Sequence, residues 1–385
     1  MNHGILPSGQ YEVKLQAPAA PPTFWDTVMP KSNKLLRGVP SLAGMSEWLR
    51  VLGHLIQDCD LDKLNIVHIA GMKGKGKKVD AAIFETHHGG EYDATNVILK
   101  PVVMGITSLG MDHISQLGPT IEDIAWHKAG IFKTGTPAFS ASQDVRPSAV
   151  LSKRAAEKGV NLTFISTNDA LPDSGGVLSI PVQRLNCSLA LEIVRAFLKL
   201  KAPEHTIDLD DISSGIENFS WAGRFEVIED GISRWFLDGA HNMMSLEQAA
   251  EWFSNNTHGL GTQTCRVLIF SHFSEDRDGA DLVECLAHSL LKHNASPDYV
   301  IFTTYQESEG GSTRIGKSKL SHCRFSTEPT IEGAFQRARR ISAQQGGMEV
   351  LVTGSLFLVG GALNFLQPQK LARTGCNLLQ GSGVL

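Results

Sequence analysis

Residues 68–90, HIAGMKGKGKKVDAAIFETHHGG, hold the densest concentration of reactive residue types in the chain. An apolar run leads into glycines and lysines, the composition of a phosphate cradle. Glycines let backbone N–H groups converge on one point, and lysine supplies the charge. Gly71, Lys73, Gly74, Lys75 and Gly76 are the residues that would do this. Gly71 and Gly76–Lys77 keep the spacing G-x4-G-K, but Lys78 stands where a Ser or Thr would ligate Mg²⁺. Taken alone, the loop is equally well explained as a Gly/Lys surface turn. After it come Glu85, at the end of a second apolar run, and the pair His87–His88. On an extended segment adjacent side chains point apart, so the two imidazoles are not expected to share a ligand.

Further candidates follow other apolar runs. PVVMGITSL (101–109) leads to Asp112 and His113, and ISRWFLDGAHN (232–242) contains Asp238 and His241. Each has an ordinary structural explanation, as a loop histidine, a turn aspartate or a surface charge. What would position them is a parallel α/β sheet. LNIVHIA (64–70), VDAAIF (79–84) and PVVMGITSL read as buried strands, and TIEDIAWHKAGIF (120–132) reads as a helix with Thr120 as N-cap. Ligands of such sheets sit at the carboxyl ends of the strands, where all these polar clusters fall.

The sequence divides into a Pro- and Ala-rich arm over 1–40, a first α/β unit over 41–211, a second over 212–366, and a tail over 367–385. A helical pattern from Met45 to Ile56 opens the first unit, and NCSLALEIVRAFLKL (186–200) closes it. In the second, FEVIED and ISRWFLDGAHN form a strand pair. SLEQAAEWF and ADLVECLAHSLLKH read as helices, and CRVLIFSHF, DYVIFTTY and MEVLVTGSL as strands. With 35 basic and 40 acidic residues the net charge is −5, which argues against nucleic-acid binding through a global basic field. The six cysteines lack CxxC or zinc spacing, pointing to a reducing compartment, the cytoplasm; a mitochondrial presequence is only weakly supported. The longest uncharged run, Val350 to Leu366, is too short and polar for a membrane span; a strand, a glycine turn and a helix fit it better.

The segments GITSLGMDHISQLGPTIEDIAWHKAGIFK, WAGRFEV, FLDGAHN, DRD and VLVTGSLFLVGG occur in this order, and together they resemble the folylpolyglutamate synthase family of Mur-ligase-like ATP-dependent amide ligases. The resemblance implies a two-domain α/β fold with an N-terminal P-loop-type parallel sheet and a smaller C-terminal α/β domain. It implies ATP and Mg²⁺ as cofactors, folate and L-glutamate as substrates, and an acyl phosphate on the route to a γ-glutamyl amide. By the same resemblance, Gly71, Gly74, Lys75 and Gly76 match the phosphate loop and Lys73 lies within it. Glu85 and His113 match metal ligands, and Asn96 lies in a matching loop. Lys128 matches a lysine that is carbamylated in the superfamily. Arg224, Asp238 and His241 match residues of the second domain that reach the nucleotide, and Lys128, Asp238 and His241 are the catalytic candidates.

One departure is large. In the family the loop continues into a helix and a long region carrying much of the folate site; here Lys77–Lys78 lead directly to Val79. Parallel neighbours need a crossover of about a dozen residues. The expectation is therefore that the two strands are not both parallel members of the sheet, or that the first is displaced. The loop would lose its helix dipole, the ligase activity would be impaired or absent, and apolar sheet would be left open to a protein partner. Two alternatives are a non-catalytic descendant acting as a binding or regulatory module, and an active synthase whose coding sequence has been skipped between Lys75 and Val79.

Overall fold

A computed structural model describes residues 65–70, 81–169, 171–172, 176–257, 264–272, 279–303 and 323–367. The glycine loop (71–76), the arm and the helical pattern of 45–56 lie outside the described residues.

The first unit is a five-stranded parallel sheet in the order β2-β1-β3-β4-β5. Its strands are β1 (Ile66–Ala70), β2 (Ala82–Glu85), β3 (Val103–Ile106), β4 (Ala138–Ala141) and β5 (Leu162–Ile165). The central strands are apolar because both faces are covered. One face packs on α4 (Pro181–Lys201), where Leu189 and Ile193 meet Val67, Val103 and Ala141. On the other, Ala125 of α2 (Ile121–Lys128) and Leu151 and Ala155 of α3 (Val145–Glu157) meet Ala70, Met104 and Ile106. Thr120 caps α2 as expected, in a reciprocal capping box with Asp123.

The crossover expectation is corrected here. β1 and β2 are parallel neighbours, registered Ile66 on Ala82 and Ile69 on Glu85, and neither is displaced. The second strand starts at Ala82 rather than Val79, so the eleven residues 71–81 join the two. That reaches the lower limit of about 10–12 for a parallel return. β2 is the edge strand, and none of its residues is fully buried. Its Ile83 is 63% exposed.

The second unit is a six-stranded sheet in the order β10-β9-β8-β11-β7-β6. β6 (Glu226–Asp230) and β7 (Ser233–Leu237) form the expected antiparallel pair. β8 (Cys265–Phe270), β9 (Tyr299–Thr303), β10 (Arg324–Glu328) and β11 (Met348–Thr353) run parallel to β7. Helices α6 (Met243–Thr257) and α7 (Gly279–Lys292) cover one face through Leu246, Phe253, Leu286 and Leu290. Helices α8 (Ile331–Gln345) and α9 (Leu356–Leu366) cover the other through Phe335, Ala338, Leu358 and Val359. The run 350–366 is thus a strand, a turn at Gly354 and a helix. No helix among the described residues is long and apolar enough to cross a membrane. Helix α5 (Leu209–Glu217) packs Ile212 and Ile216 beside Leu171, Leu178 and Leu191, which ties it to the first unit.

Candidate functional site

The parallel register of β1, β2 and β3 sets their carboxyl ends side by side. Ala70, from which the glycine loop departs, pairs with Ile106, and its neighbour Ile69 pairs with Glu85. The Thr86 N–H donates to the Ile69 carbonyl at 2.9 Å, extending the ladder one residue past Glu85.

Beyond Glu85 the chain curls around a carboxylate. Asp93 Oδ2 accepts the N–H groups of His87 and His88 at 2.8 and 2.7 Å, and Oδ1 accepts the Thr95 N–H and hydroxyl at 2.9 and 2.8 Å. This curl corrects the expectation for the histidine pair. The segment is bent rather than extended, and the two rings meet edge to face with centroids 3.9 Å apart. His88 in turn meets His113 at 4.1 Å, so three imidazoles stand in a row. His113 is held with φ of 52°, in the left-handed region, at the start of α1 (Ile114–Leu117). His68 Nε2 lies 2.9 Å from Thr95 Oγ1 beneath this loop, and burial drives its pKa down to about 3. It is a neutral structural histidine.

Lys128, in the last turn of α2, lies close to the same carboxylates. Burial pushes its pKa below the usual lysine range, while Asp93 and Glu85 pull it back up. Gly90 and Gly130 allow the approach. A Cβ on Gly130 would sit 2.1 Å from the Glu91 nitrogen, and one on Gly90 would sit 2.7 Å from the His127 carbonyl. Asn96 is engaged elsewhere: its amide donates to the Glu91 carbonyl at 3.0 Å and the Gly130 carbonyl at 3.4 Å, clasping the loop to the end of α2. Among the described residues no group of three His, Cys, Asp or Glu could by itself hold a metal ion.

The second cluster sits at the carboxyl ends of β7, β8 and β11. Asp238 is buried and accepts the N–H groups of Phe225 at 3.0 Å and Ala240 at 2.9 Å. Burial raises its pKa to about 6, against the opposing pull of Arg224, both hydrogen bonds and His241. Arg224 also lies over the Trp221 ring at 5.5 Å. His241 Nδ1 is 2.9 Å from the Gly239 carbonyl, and His272 Nδ1 is 3.0 Å from that of Gly354. A carbonyl only accepts, so each Nδ1 carries a proton, and in neutral His272 the Nε2 presents a lone pair. Among the described residues His272 Nε2 is buried without a hydrogen-bond partner, and burial lowers this histidine's pKa.

The two clusters touch. Asn242 Nδ2 donates to Asp112 Oδ2 at 3.1 Å, and the other Asp112 oxygen accepts the His113 N–H at 2.7 Å. Sequence reading brought Glu85, His113 and Lys128 to one end of the first sheet, and Arg224, Asp238 and His241 to one end of the second. It missed Asp93 and His272. The Asp-x-Thr of YDATN, a side-chain cap, was the available signal for the first. A histidine directly after the buried run of β8 was the signal for the second.

Residues 224–365 fit the family model described as Dihydrofolate synthetase, C-terminal domain. The folylpolyglutamate synthase of Neurospora crassa is 37% identical over 328 residues, covering 75% of this chain and 61% of that protein. The mitochondrial folylpolyglutamate synthase of Cricetulus griseus is 30% identical over 393 positions, covering 76% and 67%. The fold superposes on a Mycobacterium tuberculosis folylpolyglutamate synthase solved with ADP and AMPPCP, with a TM-score of 0.60 at 22% identity, covering 75% of this chain and 69% of that one. The chain thus spans about three-fifths of the length of its Neurospora relative. It belongs to the folylpolyglutamate synthase family.

Proposed function

We propose that the chain carries an ATP- and Mg²⁺-dependent carboxylate–amine ligase site that joins L-glutamate to the γ-carboxyl of a reduced folate, working at reduced rate. The observation that carries the reading is the Asp112–Asn242 hydrogen bond, which brings the carboxyl-end cluster of one sheet against that of the other.

The residues fit the cofactors in part. Mg²⁺ favours one or two carboxylates, with water and substrate phosphates completing its shell, so a site without a three-residue protein cage suits it. Glu85 is the carboxylate, and His113 is a nitrogen donor that Mg²⁺ takes less readily. For ATP, Arg224 offers charge to phosphate, and the buried Nε2 of His272, unpartnered among the described residues, offers an acceptor to a hydroxyl or amine. Gly71, Lys73, Gly74, Lys75 and Gly76 would line the phosphates. ATP would supply the activation of the carboxylate as an acyl phosphate. The chain's own groups bind and orient: Arg224 and Asp238 fix one ligand from the second unit. Lys128, its pKa lowered by burial, has a readier neutral amine for carbamylation than a solvated lysine.

Reduced rate follows from chain length. If 71–76 form a phosphate loop, five residues remain to return along the sheet. Extended, these reach about 17 Å, enough for a four-residue strand; as a helix they would rise only about 8 Å. The anion then lacks the aligned N–H groups of a helix N-terminus. The second reading, a non-catalytic binding module, is favoured by the exposed edge at Ile83.

Purified protein with ATP, Mg²⁺, tetrahydrofolate and L-glutamate should form ADP only when both substrates are present. Its kcat should fall at least about a hundredfold below that of the Neurospora relative, the scale on which lost electrostatic donors act. ATP that binds with no dependence on either substrate would favour the module. A kcat equal to the relative's would remove the impairment.

A further inference from the structure

Away from both clusters, at the amino ends of β9 and β10, the second unit opens a cleft of about 360 Å³ between the sheet edge and the last half of α8. Tyr299 and Arg324, each the first residue of its strand, form one wall with Ser326. Arg337, Arg340 and Gln344 of α8 form the other. Asp238 and His272 follow the opposite, carboxyl ends of the same sheet's strands, so this cleft is separate from the candidate ligase site.

Three guanidinium groups face this space in a chain whose net charge is −5. Among the described residues only one is compensated: Glu328 lies 3.4 Å from Arg337. Among the described residues, Arg324 and Arg340 have no carboxylate within ion-pair distance. Arg324 is instead held by neutral contacts, donating to the Tyr299 hydroxyl at 2.8 Å and lying 5.4 Å from the centre of that ring. Arg340 uses Nε on the Gln336 carbonyl at 3.4 Å, which leaves both Nη groups for another acceptor. Gathering uncompensated like charges costs energy unless an anion joins them. Guanidinium forks match the geometry of carboxylate and phosphate oxygens, and the Ser326 hydroxyl and Gln344 amide add neutral donors. The C-terminal end of α8 contributes about half a negative charge, which the arginines outweigh.

We propose that this cleft binds a small polyanion, a molecule with two or more neighbouring oxyanion groups, with Arg324 and Arg340 as its principal contacts. The reading rests on charge and donor geometry alone and stands or falls independently of the ligase proposal. Two sources share that chemistry, a phosphate chain and a run of carboxylates.

The test is titration of the full chain, labelled with ¹⁵N-arginine, with tripolyphosphate in one arm and triglutamate in the other. Saturable shifts of the Arg324 and Arg340 Nε–Hε signals at or below about 1 mM are expected in at least one arm. The arm that saturates tells phosphoryl from carboxyl recognition. Arg324→Gln and Arg340→Gln should each weaken the affinity about tenfold, and the affinity should fall as salt rises. Arg339→Gln lies on the same helix, outside the cleft and paired with Asp230 at 3.0 Å, and should leave it unchanged. Absence of saturable shifts in both arms would overturn the proposal. So would a loss with Arg339→Gln as large as with the cleft variants, since that would mark a diffuse field effect.

Discussion

Asp93, a residue with no reactive role of its own, accounts for most of the geometry of the first cluster. It is 2% exposed and accepts four hydrogen bonds, two of which bend the chain at His87–His88. Asp93→Asn keeps one acceptor oxygen, now an amide carbonyl, and turns an N–H₂ group toward two of the four donors. We expect a loss of about 3 kcal/mol in urea unfolding, with the His87 and His88 ring signals moving together. Retention of both would show that the loop is shaped elsewhere. Two buried groups give opposing pH dependences. His68 has its folded pKa depressed to about 3, so its contribution is complete above the unfolded value near 6.5 and is lost as pH falls. Asp238 has its folded pKa raised to about 6, so it penalises the fold above that pH and the penalty lifts as pH falls toward 4. Each effect is worth on the order of a few kcal/mol, and between about pH 4 and 6 they offset each other. Asp238→Asn removes one side of the balance. Its stability should fall more steeply than wild type on acidification, read as urea midpoints at several pH values; parallel curves would refute the assignment.

At the scale of elements, the strands and helices were legible wherever burial was two-sided or amphipathic. MEVLVT reads as a buried strand because every one of its residues is buried, including Glu349, which pairs with Arg234 at 3.0 Å. Thr120 was legible as a cap because its partner lies three residues on; Thr120→Ala should cost about 1 kcal/mol in thermal or urea unfolding. The start of β2 was not legible. Val79 and Asp80 continue the apolar-polar pattern of AAIF, and only the register with Ile66 places the first ladder pair at Ala82. The bend at His87–His88 was hidden for a related reason, because it is produced by a side chain five and six residues away rather than by a local turn signal. β10 escaped the pattern altogether, since as an edge strand it buries none of its residues fully. Exposure at the other edge gives a prediction for β2. Ile83→Lys should leave unfolding stability within about 0.5 kcal/mol and lower self-association in sedimentation velocity, because a charge on an edge strand blocks pairing. A large stability loss would mean that something covers Ile83.

At the scale of the molecule, the candidate ligase residues lie at the carboxyl ends of the strands in both sheets, and the proposed site would form where the two ends meet. Asn242 is the residue to test, because it does two separable things. Its Oδ1 caps the start of α6 by accepting the Ser245 N–H at 2.9 Å, and its Nδ2 reaches across to Asp112. Asn242→Asp keeps the cap and replaces an N–H···O bond with two facing carboxylates. Gly110 passes so close to Met244 that a Cβ there would lie 2.9 Å from its methyl carbon, so the two surfaces are in contact beside the repelling pair. Like charges at this separation repel by about 1–4 kcal/mol, depending on local screening, enough to shift a closed arrangement toward an open one without unfolding either sheet. The expected result is unchanged circular dichroism, a larger radius of gyration by small-angle scattering, and ATP affinity lowered about tenfold. Adding Asp112→Asn should restore both, since the amide can donate to the new carboxylate. Should Asn242→Asp bind nucleotide as tightly as wild type, the second unit would have no part in the site, and the ligase reading would fail with it.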